Sequence, residues 1–250
     1  MYPYLHIGTA NISTYFLLIS LASTLASFWF IGRMETHHLS RLLAIDLTLV
    51  TLVSAFVGAR LLHVMYEEFA FYRENPRQIL EIWNGGFVFY GGLLGGTAGI
   101  YIFCLLKRIP FELAMDMAAL PASFAYGVGR LACFLNGCCY GRLCELPWAM
   151  NLHGEHRHPT QIYASVGEAF TLFVMLKAEP RFRQPGQLTG LWLVLHASNR
   201  LVMEHFRDDP RGDMMLGLSL GTWLSVALIC VGIGLLWPRP QPAAPELQSR

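Results

Sequence analysis

Lysine is nearly missing from this chain: two residues, Lys107 and Lys177, among 250. Charge of either sign is scarce, at 14% of residues against about 25% in an ordinary soluble domain. The 18 basic and 17 acidic residues nearly cancel, so no net field draws nucleic acid, and no segment interleaves basic and aromatic residues into a nucleic-acid groove. Cysteine is also sparse. Two of the six, Cys104 and Cys230, sit in apolar runs, which excludes a disulfide framework. What fills the chain is apolar, with 54% hydrophobic residues and a mean hydropathy of +0.41. A soluble globule is therefore excluded as the default, because a bilayer core ~30 Å thick selects for helices of about 20 apolar residues.

Apolar runs fall at about Thr14–Gly32, Leu42–Tyr66, Phe87–Leu106, Phe111–Tyr126, Ile162–Leu176, Leu188–Met203 and Met214–Trp237. The expectation is an all-α integral membrane protein with about seven transmembrane helices, in one polytopic domain over residues 1–237. No Lys or Arg precedes Arg33, so the first run lacks the positive leader of a cleaved signal peptide and is expected to remain, with its N-terminus outside. In that orientation nine basic residues fall on the cytoplasmic side and seven outside, a small positive-inside margin. The tail 238–250 is Pro-rich and polar and is expected to be disordered and cytoplasmic.

The stretch Gly127–Thr160 breaks the pattern with three Arg, four Cys, three His and several Gly. It reads as an irregular outer-face loop, tolerated beside a membrane where it is buried in protein or lines a wet cavity. Three ionisable residues stand inside apolar runs: Arg60, Asp116 and Arg200. Each costs roughly 2.5–3.5 kcal/mol at a helix centre on insertion scales, which marks a functional candidate unless it snorkels or pairs structurally. Glu204 and Arg207 follow Arg200 at i+4 and i+7, a stripe that would form a cationic pocket with one carboxylate fixing the guanidinium geometry. Sixteen of the basic residues are Arg, the side chain that grips phosphate bidentately; codon bias explains the same excess.

Glycines are concentrated in WNGGFVFYGGLLGGTAG. The small-xxx-small spacing of Gly91, Gly95 and Gly99 means close helix packing, while Gly85–Gly86 and Tyr90-Gly91-Gly92 could aim backbone N–H groups at an anion. The Lys and Ser/Thr of a nucleotide P-loop are missing. Farther on, GRLACFLNGCCYGR supplies Arg130, Asn136, Tyr140 and Gly141, and HPTQIYAS places His158, Gln161 and Tyr163 at the mouth of the next helix, with Pro159 in its first turn. His158 reads either as a base or, preferably, as a loop-orienting residue.

These segments together resemble a known family. ISTYFLLI with Tyr15, GGFVFYGGLLGG, GRLACFLNGCCYG, HPTQIYAS and NRLVMEHFRDDPRG occur in the order and spacing of prolipoprotein diacylglyceryl transferases, over about Tyr15 to Trp237. The resemblance implies a seven-helix enzyme of the bacterial inner membrane that moves the diacylglyceryl group of phosphatidylglycerol onto the lipobox cysteine of a preprolipoprotein. Glycerol 1-phosphate leaves. It further implies that Arg130 and Arg200 are the essential arginines and that Glu204 and Arg207 support the second. Tyr15, Arg60, Gly91, Gly92, Asp116, Asn136, Gly141 and the segment with His158, Gln161 and Tyr163 stand at family positions in substrate binding. Two guanidiniums suit a departing phosphate and lower the pKa of the attacking thiol. No cofactor and no metal are called for.

Three positions depart from the family pattern. Tyr90 stands where many members carry a His, Cys133 where many carry Asn and Cys138 where many carry Glu. Tyr90 joins Arg130 and Arg200 in the expected catalytic set, as base or as hydrogen-bond donor to phosphate. The departures leave room for a paralogue with a different acceptor, and the intramembrane arginines for an anion transporter. Cys133, Cys138, Cys139 and Cys144 lack standard zinc spacing. A disulfide of Cys138 or Cys139 with Cys144 is one expectation; small apolar loop residues are the other.

Overall fold

The computed structural model describes residues 3–8, 10–37, 39–82, 85–152, 154–207 and 218–238. Eight α-helices are present among them: α1 Thr14–Thr36, α2 Arg41–Leu62, the short α3 Phe69–Glu74, α4 Phe89–Lys107, α5 Phe111–Asn136, α6 Thr160–Ala178, α7 Gln187–Phe206 and α8 Leu220–Leu236. Two small antiparallel hairpins accompany them, β1 Tyr4–Ile7 with β2 Ala10–Ser13, and β3 Met150–Leu152 with β4 Glu155–Arg157. Most of the expected tail, from residue 239 onward, lies outside the described residues.

Three spans, Thr14–Thr36, Arg41–Tyr66 and Phe111–Asn136, are long and apolar enough to cross a membrane, and Gly91–Lys107 and Gly221–Leu236 are shorter apolar helices. Large apolar side chains point outward along them, such as Phe16, Leu42, Leu106 and Val231. Such a surface is costly in water and natural in lipid. The chain is thus predominantly helical, as a membrane protein is.

The helices group into two compact units, one of Met1–Ala22 with Ala122–Arg250 and one of Ser23–Pro121. In the second, Phe30, Met34, Leu47, Phe103, Cys104 and Met117 form a buried apolar core. The close α2–α4 pairing explains the glycine run. A Cβ added at Gly91 would meet the Gly58 carbonyl oxygen at 2.3 Å, and one at Gly95 the Ser54 carbonyl oxygen at 2.4 Å. The N–H of Gly92 is spent on the Val88 carbonyl. The head of α4 is therefore a packing surface, and the Gly92 N–H is taken up within the chain.

Pro121 sits inside α5 and cannot donate to the carbonyl of Met117 four residues back. Arg33 satisfies that group: its Nε donates to the Met117 oxygen at 3.1 Å and its Nη2 to the Asp116 oxygen at 3.3 Å. Helix α5 also runs farther than expected. Gly127–Asn136 continues it as helix, where an irregular loop was anticipated. The glycines there do not break the helix, and an added Cβ would find ordinary contacts: at Gly127 it would lie 3.7 Å from that of Glu168, and at Gly129 3.4 Å from Ile19 Cδ1.

Candidate functional site

In the unit of residues 1–22 and 122–250, a narrow cleft with room for about one water molecule is lined by Tyr126, Arg130, Cys139, Thr160, Gln161, Ala164, Arg200, Met203 and Arg207. Three guanidinium-bearing residues from α5, α7 and the chain just past α7 thus share one small space. The Arg130 guanidinium carbon stands 4.7 Å from the ring centroid of Tyr126, one helical turn back. That cation–π contact, with a side-chain hydrogen bond to the same Tyr126, fixes the direction of the guanidinium.

The floor is a tight loop after α5. Gly137 (φ +79°) and then Cys139 (φ +60°) take left-handed backbone, a strained choice for a residue with a Cβ. The first two residues of α6 hold this loop: Thr160 Oγ1 donates to the Cys139 oxygen at 2.8 Å, and Gln161 Nε2 to the Cys138 oxygen at 2.6 Å. Gln161 is buried, and its Oε1 has no hydrogen-bond partner. An orphaned buried acceptor costs about 1–3 kcal/mol, which a ligand hydroxyl in the cleft would recover.

Gly141 closes the loop against its neighbours. Its N–H donates to the His158 oxygen, it bridges to Arg207, and a Cβ would meet His158 Cβ and the Phe206 oxygen, both at 2.7 Å. Arg142 N donates to the Phe206 oxygen at 2.8 Å and its Nε to the Arg207 oxygen at 3.2 Å. These bonds pin the end of α7. Helix α7 stops at Phe206 and Arg207 has extended backbone, so the expected helical stripe of Arg200, Glu204 and Arg207 is corrected: a β-bridge brings Arg207 to the cleft, and the helical period does not. Glu204 accepts from Ser219 Oγ at 2.6 Å.

His158 is packed as an orienting residue. Its Nδ1 lies 3.2 Å from Tyr163 Oη, which also accepts from Trp148 Nε1 at 2.8 Å, and its ring stands edge-on to Phe206. Tyr15 on α1 faces Arg130 and the thiols of Cys133, Cys138 and Cys139, and Asn136 ends α5 facing Cys138. All described cysteines are free, so the disulfide expected with Cys144 is not formed. The Cys133, Cys138 and Cys139 sulfurs instead lie within 4.8 Å of one another. Hydrogen bonds from Cys133 and Cys138, then the charges of Arg207 and Arg130, hold the Cys139 thiol well below its ordinary pKa.

A buried network that the sequence reading missed supports this cleft. Glu168 on α6 is fully buried; its Oε1 accepts from Ser123 Oγ (2.9 Å) and Trp192 Nε1 (3.1 Å), and its Oε2 lies 2.9 Å from His196 Nδ1. The His196 ring meets Tyr126 edge-on at 4.5 Å. Glu168 stands in an apolar run just as Arg60, Asp116 and Arg200 do, and that same signal marks it.

The remaining expected positions belong to the unit Ser23–Pro121. Arg60 is buried, with Nε donating to the Ile79 oxygen (3.1 Å), Nη1 to Gly85 (2.5 Å) and Gly86 (3.1 Å), and Nη2 to Gln78 (2.7 Å). It organises the chain between α3 and α4. Asp116 is buried on α5. Tyr90 is the second residue of α4, and its side chain lies outside the described residues.

The chain is similar over most of its length to known proteins. Residues 3–238 match the family model for prolipoprotein diacylglyceryl transferase. Proteins named phosphatidylglycerol--prolipoprotein diacylglyceryl transferase include one from Polaromonas sp., 35% identical over 214 residues (82% of this chain, 78% of the relative). Another, from Methylobacillus flagellatus, is 32% identical over 248 residues (93% and 94%). One from Rhodospirillum rubrum is 36% identical over 198 residues (75% and 72%). With a match spanning nearly its whole length, this chain belongs to the prolipoprotein diacylglyceryl transferase family.

Proposed function

We propose that this protein transfers the diacylglyceryl group of phosphatidylglycerol to the thiol of the lipobox cysteine in preprolipoproteins. The observation that carries the reading is the convergence of Arg130, Arg200 and Arg207 on one cleft beside the unpartnered Gln161 oxygen. The arginines suit a phosphate, and the amide oxygen suits a headgroup hydroxyl.

In the reaction the substrate thiolate attacks the glyceryl carbon that bears the phosphate ester. A C–S bond forms, the C–O bond breaks, and the electron pair leaves with glycerol 1-phosphate. Charge grows on the departing phosphate, so bidentate guanidinium contacts in a water-poor cleft are stronger in the transition state than in the bound lipid. Arg130, held by Tyr126, and Arg200 take this role, with Arg207 and Glu204 supporting the second. The family resemblance adds Tyr90 to the proposed catalytic set, as proton acceptor or as hydrogen-bond donor to the phosphate. Tyr15, Asn136, Gly141, His158, Gln161 and Tyr163 shape the substrate site; Arg60, Gly91, Gly92 and Asp116 are proposed as substrate-binding positions on the family resemblance alone.

The membrane arrangement is part of the proposal: one polytopic domain of about seven spans in the inner membrane, N-terminus outside and tail cytoplasmic. Helix hydropathy and the small excess of basic residues on the assigned inner side support it. Expression in a strain depleted of its own transferase tests the whole reading. Rescue of growth, with a thioether-linked lipid on a reporter lipoprotein, is the expected result. A well-expressed, membrane-inserted protein that fails to rescue overturns it.

A further inference from the structure

The three thiols beside the cleft are far apart in role from any step of the transfer, yet the fold gathers them. Cys133 comes from the last turn of α5, while Cys138 and Cys139 follow the left-handed turn at Gly137. The Cys138 N–H and Sγ both approach the Cys133 oxygen, at 3.2 and 3.7 Å. Thr160 and Gln161 hold the two carbonyls that follow. As a result the three sulfurs lie within 4.8 Å of one another, although Cys-x4-Cys-Cys matches no common metal spacing in sequence.

We infer that Cys133, Cys138 and Cys139 form a three-sulfur site for a single soft monovalent cation, Cu(I). Metal–sulfur bonds of about 2.3 Å place three sulfurs around a trigonal ion about 4 Å apart, so the observed cluster needs only a small contraction. Thiolates select soft ions. Structural zinc asks for four ligands, and among the described residues this group of His, Cys, Asp and Glu side chains stops at three. The charge also fits. Three thiolates with one Cu(I) carry two negative charges, and Arg130 and Arg207 line the same cleft as Cys139. Binding is a ligand exchange in which the thiols release their remaining protons to solvent and copper stays Cu(I), so no oxidant or reductant is consumed.

The test uses the full chain, purified in detergent, reduced and kept anaerobic, and titrated with Cu(I) against a chromogenic Cu(I) chelator. One tightly held Cu(I) per chain is expected, lost in Cys133→Ser and in Cys139→Ser and retained in Cys230→Ser. X-ray absorption of the wild-type complex is expected to show a single shell of three sulfurs, a reading that no folding defect of a variant can mimic. Wild-type protein that holds no more copper than Cys133→Ser overturns the inference, as does a copper shell of other composition. A Cys133–Cys139 or Cys133–Cys138 disulfide that persists through reduction overturns it too.

Discussion

Glu168 Oε2 lies 2.9 Å from His196 Nδ1, and the imidazole of His196 in turn stands edge-on against Tyr126, the ring beneath Arg130. A carboxylate with no exposed surface is expensive to bury, and removing one partner of such a network strands the others. Here three donors, from α5 and α7, converge on one side chain of α6. Glu168→Leu is expected to destabilise the protein by about 3 kcal/mol and Glu168→Gln by less, read as the melting temperature in detergent. Both are expected to lower transfer activity, because Tyr126 loses its backing. Equal stability of wild type and Glu168→Leu contradicts a supporting role.

Arg130→Ala and Arg200→Ala are each expected to reduce transfer from labelled phosphatidylglycerol to a lipobox peptide by at least ~100-fold, the usual loss when a transition-state donor is removed. Lysine at either position should restore little, since an ammonium cannot reproduce the planar fork. Activity within a factor of two of wild type for either alanine variant eliminates that arginine from the mechanism.

Gln161→Leu removes the orphaned acceptor and the bond to Cys138 together; Gln161→Glu keeps the shape and replaces the amide donor with a second acceptor. If Oε1 receives a headgroup hydroxyl, Gln161→Leu loses discrimination, and the ratio of kcat/KM for phosphatidylglycerol over a phospholipid without headgroup hydroxyls falls by about tenfold, equivalent to one hydrogen bond, while Gln161→Glu keeps that acceptor and holds the ratio closer to wild type. A ratio that does not move assigns Gln161 to loop support alone.

Glycine positions separate packing from tolerance. Gly141→Ala would drive a Cβ to 2.7 Å from backbone oxygen and from His158 Cβ, so loss of activity and of the loop's protease resistance is expected. Gly95→Leu is expected to split the α2–α4 pair, where a Cβ meets the Ser54 carbonyl oxygen at 2.4 Å. Gly32→Ala, with nothing within 4 Å of its Cβ, is expected to be neutral or to stabilise by up to about 1 kcal/mol through helix propensity. Thermal melting of the three variants checks the ranking.

The Cys139 thiol is held below its ordinary range by hydrogen bonds from Cys133 and Cys138 and by Arg207 and Arg130. A depressed pKa means that the thiolate persists when pH falls below the ordinary cysteine value of about 8.5. Its contribution to stability is therefore complete above that value and declines as pH drops toward the lowered pKa. Alkylation of Cys139 by iodoacetamide at pH 6 is expected to outpace that of Cys230, and Cys133→Ser is expected to narrow the gap. Mass spectrometry of the modified peptides reads both.

Much of this was legible in order and composition. Apolar runs located the helices because lipid imposes length and hydropathy directly on the chain, and Arg200 was legible because a charge inside such a run needs a reason; Arg130 and Gln161 were legible through the resemblance of their segments to the family. The extension of α5 was not legible. Gly127 and Gly129 look like breakers, yet the helix continues through both. Arg60 and Arg200 were alike in sequence, and the structure separates them: one is taken up by backbone carbonyls, the other faces a cleft.

The sequence by itself determined that the chain is helical, apolar on its outer faces and sparing of charge, since those properties are one-dimensional and follow from the solvent it must meet. Only the tertiary structure decided which charges meet. Arg207 reaches Arg130 and Arg200 because Gly141 admits a backbone bridge that no side chain would allow, and three cysteines converge because one turn reverses the chain. Such encounters depend on distances between segments remote in sequence, and no local pattern encodes them.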